Sequence, residues 1–464
     1  MNLITSGLLG AIVVVFLASR NWQQSVKIAL VVAVIEGALR KWVLPQASEL
    51  IYFLKDFLLI GAYIGYFSSS ERKNIKFFDN KTITGLIKLV TFICILQALN
   101  PSLGSPIIGL FGIRNYLVYV PLIWVFPSLF TTEEELYKFL SYYLLLLIPV
   151  GSLAILQFFS PANSPINVYV DDGLTPVGGV VILGPGVRVT GTFSYLAGYS
   201  VYLGICLCLL LPMLTRKQSI FWYSTTIIEL LLLSITSLMT GSRSLMFKSI
   251  FIVISYLILQ GSFSRIFVSI RQLFLPFTIA IIIALQRFST AVEAFWQRAS
   301  YTQDIPGRIA DMFQQPLENF QYTNFSSFGT GATFQANPAI RYIFSLPPGE
   351  PIRVYYEGET GRIALELGLI GFLAWYGLKL AIIVAFWKTY RRLKQSFFKQ
   401  LCLSLFLYQS ISFTGQIVFN HTANIFHWFL TSFLFLLPLL DQQILSLKRI
   451  NDSRSMRFLS SSYK

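Results

Sequence analysis

The chain has 464 residues, of which 55% are hydrophobic and 12% charged, and its mean hydropathy is +0.64. That is more apolar surface than one soluble core can bury, so a water-soluble domain is excluded and an all-α polytopic membrane protein is expected. The net charge of +15 lies in short loops and the tail, a topological pattern that gives no reason to expect nucleic acid as a partner. Apolar runs of spanning length, roughly 17 to 25 residues, fall at 3–19, 26–44, 49–67, 82–99 and 113–130 before the acidic cluster TTEEELYK. After it come 136–159, 193–214, 219–240, 244–261, 270–287, 363–387, 400–419 and 424–441, giving about 12–13 spans in all. Lys88, Lys248 and Pro276 each dilute the pattern of the span that carries them. The first apolar run has no basic residue before it, so it reads as a spanning helix and not as a cleaved signal. No duplicated half is visible.

Lysine and arginine in short loops set the orientation. ERKNIKFFDNK, TRKQS, KTYRRLKQSFFK and the tail 442–464 are expected in the cytoplasm, with the N-terminus outside. The chain then divides into N-terminal spans (1–159), a first external loop (160–192), central spans (193–287), a long external loop (288–362), C-terminal spans (363–441) and the basic tail, which would rest on anionic lipid. Within the long loop, AVEAFWQRA and GRIADMFQQPLENF read as short amphipathic helices. The two external loops contain no lysine, yet they hold Arg188, Arg298, Arg308, Arg341, Arg353 and Arg362. Arginine offers a planar fork suited to phosphate oxygens. These arginines could equally pair with the carboxylates of the long loop.

The four cysteines, Cys94, Cys206, Cys208 and Cys402, lie in apolar runs without ligand spacing and read as packing residues. Asp171 and Asp172 could hold a divalent cation, but a DDG turn is the stronger reading, and no metal site is expected. No phosphate-cradling loop, GxSxG or zinc-type cluster is present. Charge at span ends is concentrated in a few places. In IEGALRKWVLPQASELIYFLKDFLL, Glu36, Arg40, Lys55 and Asp56 reach similar depth across a turn and read as structural ion pairs. Arg243 lies in the turn of LMTGSRSLMFK, Arg188 just before the seventh span, and Arg114 at the start of the fifth. Convergence of such arginines would make an anion site. The segment 349–377, GEPIRVYYEGETGRIALELGLIGFLAWYGL, holds Glu357, Glu359 and Arg362 at a span entrance, where a reactive group would be kept in place.

RVTGTF before a span, TGSRS between two spans, a long loop containing FGTGAT, and then ETGRIALELGLIGFL together resemble the bacterial O-antigen ligase and polymerase superfamily over about residues 100–440. The opening block, EGALRKW to FLKDFLL, suggests a branch associated with exopolysaccharide production. The resemblance implies a GT-C-like membrane fold and metal-independent, inverting glycosyl transfer at the outer face of the bacterial inner membrane, with no cofactor. It also implies undecaprenyl-diphosphate-linked sugars as donor and a polysaccharide, lipid A core or protein as acceptor. Polysaccharide export and chain-length machinery would be natural neighbours. Arg188 and Arg243 match the family's diphosphate-binding arginines, with Arg114, Arg308 and Arg362 as further candidates. Where family ligases carry a histidine, this chain has Glu357, so Glu357 or Glu359 would be the base and polymerisation is favoured over ligation. His421, one of two histidines, is a further catalytic candidate. A transporter or flippase for a lipid-linked or polyanionic substrate is the alternative; it would need charge through the full bilayer depth.

Overall fold

The structure, a computed structural model, describes residues 3–69, 80–170, 180–183, 186–260 and 305–461, with a few single positions between 278 and 293. Helix α1 (Leu3–Arg20) meets α2 (Trp22–Ala38) at Asn21, whose side chain accepts a hydrogen bond from Gln24 N. The end of α2 widens into a π-helical stretch, Leu39–Val43, that carries Arg40 and Lys41. After the turn at Pro45 comes α3 (Ser48–Ser68), then α4 (Lys81–Ala98) and α5 (Pro106–Leu117). After a turn, Pro121 stands as the N-cap of the four-residue α6 (Leu122–Val125). In α7 (Glu133–Leu144) the first turn holds three glutamates, which suits the positive end of a helix dipole, and Thr132 caps it. Next come α8 (Leu147–Phe159), a two-strand antiparallel pair β1 (Ile182–Leu183) and β2 (Gly186–Val187), and α9 (Leu196–Met213). They are followed by α10 (Ile220–Met239), α11 (Arg243–Leu259), α12 (Ile305–Tyr322), α13 (Asn337–Ile343), α14 (Glu359–Arg392), α15 (Ser396–Ile411) and α16 (His421–Ser461).

This is a multi-pass membrane protein: eight described helical stretches are long and apolar enough to cross a bilayer. The expected spans at 3–19, 26–44, 244–261 and 400–419 coincide with helices α1, α2, α11 and α15, of 18, 17, 17 and 16 residues, which are not among those eight; α15 ends at Ile411, short of the expected 419. The expected span 270–287 lies largely outside the described residues, as do AVEAFWQRA, Arg298, Asp171 and Asp172. The second amphipathic segment does form a helix, α12. α9 and α16 make the centre. Every residue is buried from Tyr202 to Leu214 and from Ala423 to Leu437, as expected for helices apolar on all faces. The four cysteines are buried and unbridged.

One expectation changes in shape. The span at 363–387 does not run straight out of the polar segment. Residues 359 and 379 would lie about 30 Å apart on a continuous helix, yet Lys379 Nζ sits 3.6 Å from Glu359 Oε1. The reversal is at Gly368, with φ +65° and ψ −172°, a backbone conformation open to glycine and costly for other residues. Tyr116 touches both arms: its hydroxyl donates to Glu366 Oε2 at 3.0 Å and its ring packs edge-on against Trp375. Residues 359–367 therefore form a short arm lying antiparallel to the long arm that ends at Arg392. The FGTGAT segment holds the short arm in place. Phe328 N donates to Leu365 O at 2.8 Å, and Thr333 donates through both N and Oγ1 to Glu366 Oε1 at 2.9 and 2.8 Å.

Candidate functional site

Arg188 directly follows β2, and the hairpin fixes its backbone: its N–H donates to Val181 O at 2.8 Å. Tyr169 Oη donates to Arg188 O at 3.0 Å. Burial pushes the Tyr169 phenol up to about 12, so it stays protonated and remains a donor. The guanidinium reaches the turn between α10 and α11, where Nε donates to Thr240 O at 2.8 Å. Arg243 opens α11 in the same turn, behind the N-cap Ser242, whose hydroxyl accepts from Leu245 N. Val189 N, bonded to Met239 O at 3.3 Å, ties the two segments a second time. The structure thus brings Arg188 to the turn that carries Arg243, although the two residues are 55 positions apart in the chain (243 − 188).

The loop between Arg188 and α9 is rigidly held. Buried Gln157 accepts from the N–H groups of Thr190 and Gly191 at 3.1 and 2.8 Å. Lys41 Nζ donates to Thr190 Oγ1, Gly191 O and Phe193 O at 3.1, 3.0 and 2.9 Å, which satisfies all three of its protons. Gly37 lets α2 approach so closely that an added Cβ would stand 2.2 Å from Ser194 N.

Beside this turn is a cavity of about 280 Å³ between α9, α11, α15, α16 and the 412–420 loop. Its charged and polar lining includes Arg188, Lys248, His427, Asn420, Ser242 and Tyr408, and no carboxylate is among its described lining residues. Lys248 makes no ion pair among the described residues. His427 is 5% exposed, and its Nε2 has no hydrogen-bond partner. Low-dielectric walls, two cations in the lining and neutral donors make a site for an anion.

The short arm of α14 adjoins the same loop. Gln416 lines the cavity and donates through Nε2 to Glu357 O at 3.2 Å, so Glu357 stands at the rim. Its exposed side chain accepts from Tyr355 Oη at 2.5 Å. Glu359 does not stand free, which corrects its reading as a base. It is 1% exposed; its Oε2 accepts from the N–H groups of Ile417 and Val418, the latter at 2.9 Å, and its Oε1 faces Lys379. It clamps the 412–420 loop to the reversed arm. Arg362 is 6% exposed, lies 4.9 Å over the Phe419 ring and makes no ion pair among the described residues. The Arg308 side chain lies outside the described residues.

Two further candidates belong elsewhere. Arg114 grips Asp56 through Nε and Nη2 at 2.7 and 2.5 Å, and Tyr119 Oη donates to the other Asp56 oxygen at 2.5 Å. Arg114 Nη1 also donates to His421 Nε2 at 3.0 Å, so the lone pair that a base would use is already engaged. The His421 ring packs edge-on against Tyr52 and Phe334 and does not line the cavity. Arg114 and His421 thus join the expected ion-pair set. In that set Glu36 binds both Arg40, at 3.2 Å, and Lys55, while Arg40 Nε reaches Ser48 Oγ at 3.0 Å. Lys55 and Asp56 pair with different partners and not with each other. The guanidinium of Arg40, the ammonium of Lys55 and the guanidinium of Arg114 all lie within about 5 Å of the Tyr52 ring.

Lys248, His427, Lys379, Lys41 and Gln157 are the site residues that sequence reasoning did not single out. Lys248 had a readable signal: a lysine inside an otherwise apolar span is costly unless it faces a polar cavity. Among the described residues, no group of three or more His, Cys, Asp or Glu side chains is placed to hold a metal ion. No protein-family model matches the chain, and no curated protein matches it.

Proposed function

We propose that the chain is a membrane glycosyltransferase that extends polysaccharide from undecaprenyl-diphosphate-linked sugars at the outer face of a bacterial inner membrane, with polymerisation preferred to ligation. The observation that carries this reading is the cavity lined by Arg188 and Lys248, with no carboxylate among its described lining residues, beside the turn shared by Arg188 and Arg243. In the reaction the acceptor hydroxyl oxygen attacks the anomeric carbon from the face opposite the diphosphate. The bond from that carbon to the diphosphate oxygen breaks, and its electron pair leaves with the diphosphate. Arg188, Arg243 and Lys248 stabilise the charge that develops there, in a setting where fixed cations act far more strongly than in water. Glu357 at the rim takes the acceptor proton, and Tyr355 orients its carboxylate. The neutral ring of Tyr195, which also lines the cavity, offers a face for a sugar.

Transport of the same lipid-linked substrate is the second reading, and Lys379 and Glu229 are what favour it. Both are buried well inside helices, and Glu229 is 2% exposed. Lys379, however, is closed on Glu359. The test is the chain-length distribution of surface and secreted polysaccharide in a deletion strain complemented with wild type, Arg243→Ala or Glu357→Gln. Loss of long chains with accumulation of single lipid-linked repeats in both variants supports polymerisation. Full-length chains that stay on the carrier identify ligation instead. Unchanged polysaccharide in both variants overturns the glycosyltransferase reading at these residues.

A further inference from the structure

At the opposite end of the bundle, a second cavity of about 710 Å³ opens between α14, α16 and the start of α4. It has two chemically different zones. Its mouth carries Lys81, Lys388 and Arg392, none of which forms an ion pair among the described residues. The one carboxylate among its described lining residues, Asp441, is already engaged: Oδ1 accepts from Gln395 N at 2.8 Å and both oxygens from Lys394 N at 3.3 Å, so its charge serves the start of α15. The inner wall is apolar, formed by Ala381, Val384 and Ala385 on α14 and Leu434, Phe435 and Pro438 on α16. Pro438, which has no N–H, marks the end of this wall on α16.

Three open cations over an apolar slot at the end of spanning helices match one kind of ligand. We infer that this cavity binds an acidic glycerophospholipid, with its phosphate on Lys81, Lys388 and Arg392 and an acyl chain against the α14–α16 wall. Arg392 supplies the planar fork for phosphate oxygens, and the two lysines add point charges. The site lies at the far end of the same helices from the Arg188 cavity and does not depend on the glycosyltransferase reading.

The test uses purified full-length protein in detergent, titrated with dioleoyl phosphatidylglycerol or dioleoyl phosphatidylcholine, with bound lipid counted by native mass spectrometry. Wild type is expected to retain one phosphatidylglycerol with about tenfold or greater preference over phosphatidylcholine. The variant Lys81→Gln/Lys388→Gln/Arg392→Gln is expected to lose that preference. Lys138→Gln/Lys217→Gln/Lys394→Gln, which removes as much charge outside the cavity lining, is expected to keep it. Ala385→Trp fills the slot without changing charge and is expected to weaken retention of the lipid. Equal loss in both triple variants would overturn the site in favour of general surface charge. Absence of any lipid preference in folded wild type, or displacement of the lipid by millimolar inorganic phosphate alone, would overturn the lipid assignment.

Discussion

Two groups of cationic side chains lie near the same end of this bundle, and they are built in opposite ways. In the first, Arg40, Lys55 and Arg114 are closed on Glu36, Asp56, Tyr119 and His421, with Tyr52 in the middle. In the second, Arg188 and Lys248 line a cavity with no carboxylate among its described lining residues, next to the turn that holds Arg243. Charge buried among its own counter-ions has been consumed by folding. Lys248, which makes no ion pair among the described residues, faces the cavity where a ligand would reach it. Residue type alone does not separate the two cases; the partner does.

The largest expected effect breaks the closed group. Asp56→Ala leaves Arg114 buried without its carboxylate, which should cost about 3–5 kcal/mol of stability. It should be seen as a lower unfolding midpoint in detergent, with Asp56→Asn intermediate. If the two groups differ as described, removing Lys248 from the cavity lining should leave stability nearly unchanged while activity falls. For Lys248→Gln the expectation is a loss of about tenfold in polymer formation, the removal of one charged contact to the departing diphosphate. An unfolding midpoint that fell with it would move Lys248 into the structural group.

Arg188→Lys sharpens the contrast from within the cavity-lining group. Lysine keeps the charge but cannot both donate to Thr240 O and present a fork to the cavity, so activity should fall several-fold with KM for the lipid-linked donor rising. A smaller effect, on folding alone, is expected at the hinge of α14. Gly368→Ala forces a side chain into φ +65°, ψ −172° and to 2.9 Å from Ser326 O, and should cost about 1–3 kcal/mol, measured as a shift in thermal midpoint.

Much of the helical layout can be read directly from the chain. Apolar runs at 49–67, 82–99, 219–240 and 424–441 became α3, α4, α10 and α16, because a spanning helix is specified by its own composition and length. Caps such as Thr132, Ser219 and Ser242 are local too. The ion pair of Glu36 with Arg40 is four residues apart on one helix and was equally legible. Three things were not. Arg114 had the same sequence appearance as Arg188, and only the folding of α3 against α5 gave it Asp56. Glu359 looked like a surface carboxylate until the reversal at Gly368 carried it to Lys379 and the 417–418 backbone. His421 and His427 differ by less than two turns of one helix, yet one faces Arg114 and the other the cavity.

The sequence by itself determined that this protein lives in a membrane, where its helices lie along the chain, and which residues could carry charge into the bundle. These follow from the cost of placing backbone and charge in hydrocarbon, which each segment meets locally. The tertiary structure alone decided which charges cancel and which remain open to a ligand, because that depends on partners tens or hundreds of residues away, brought together by packing.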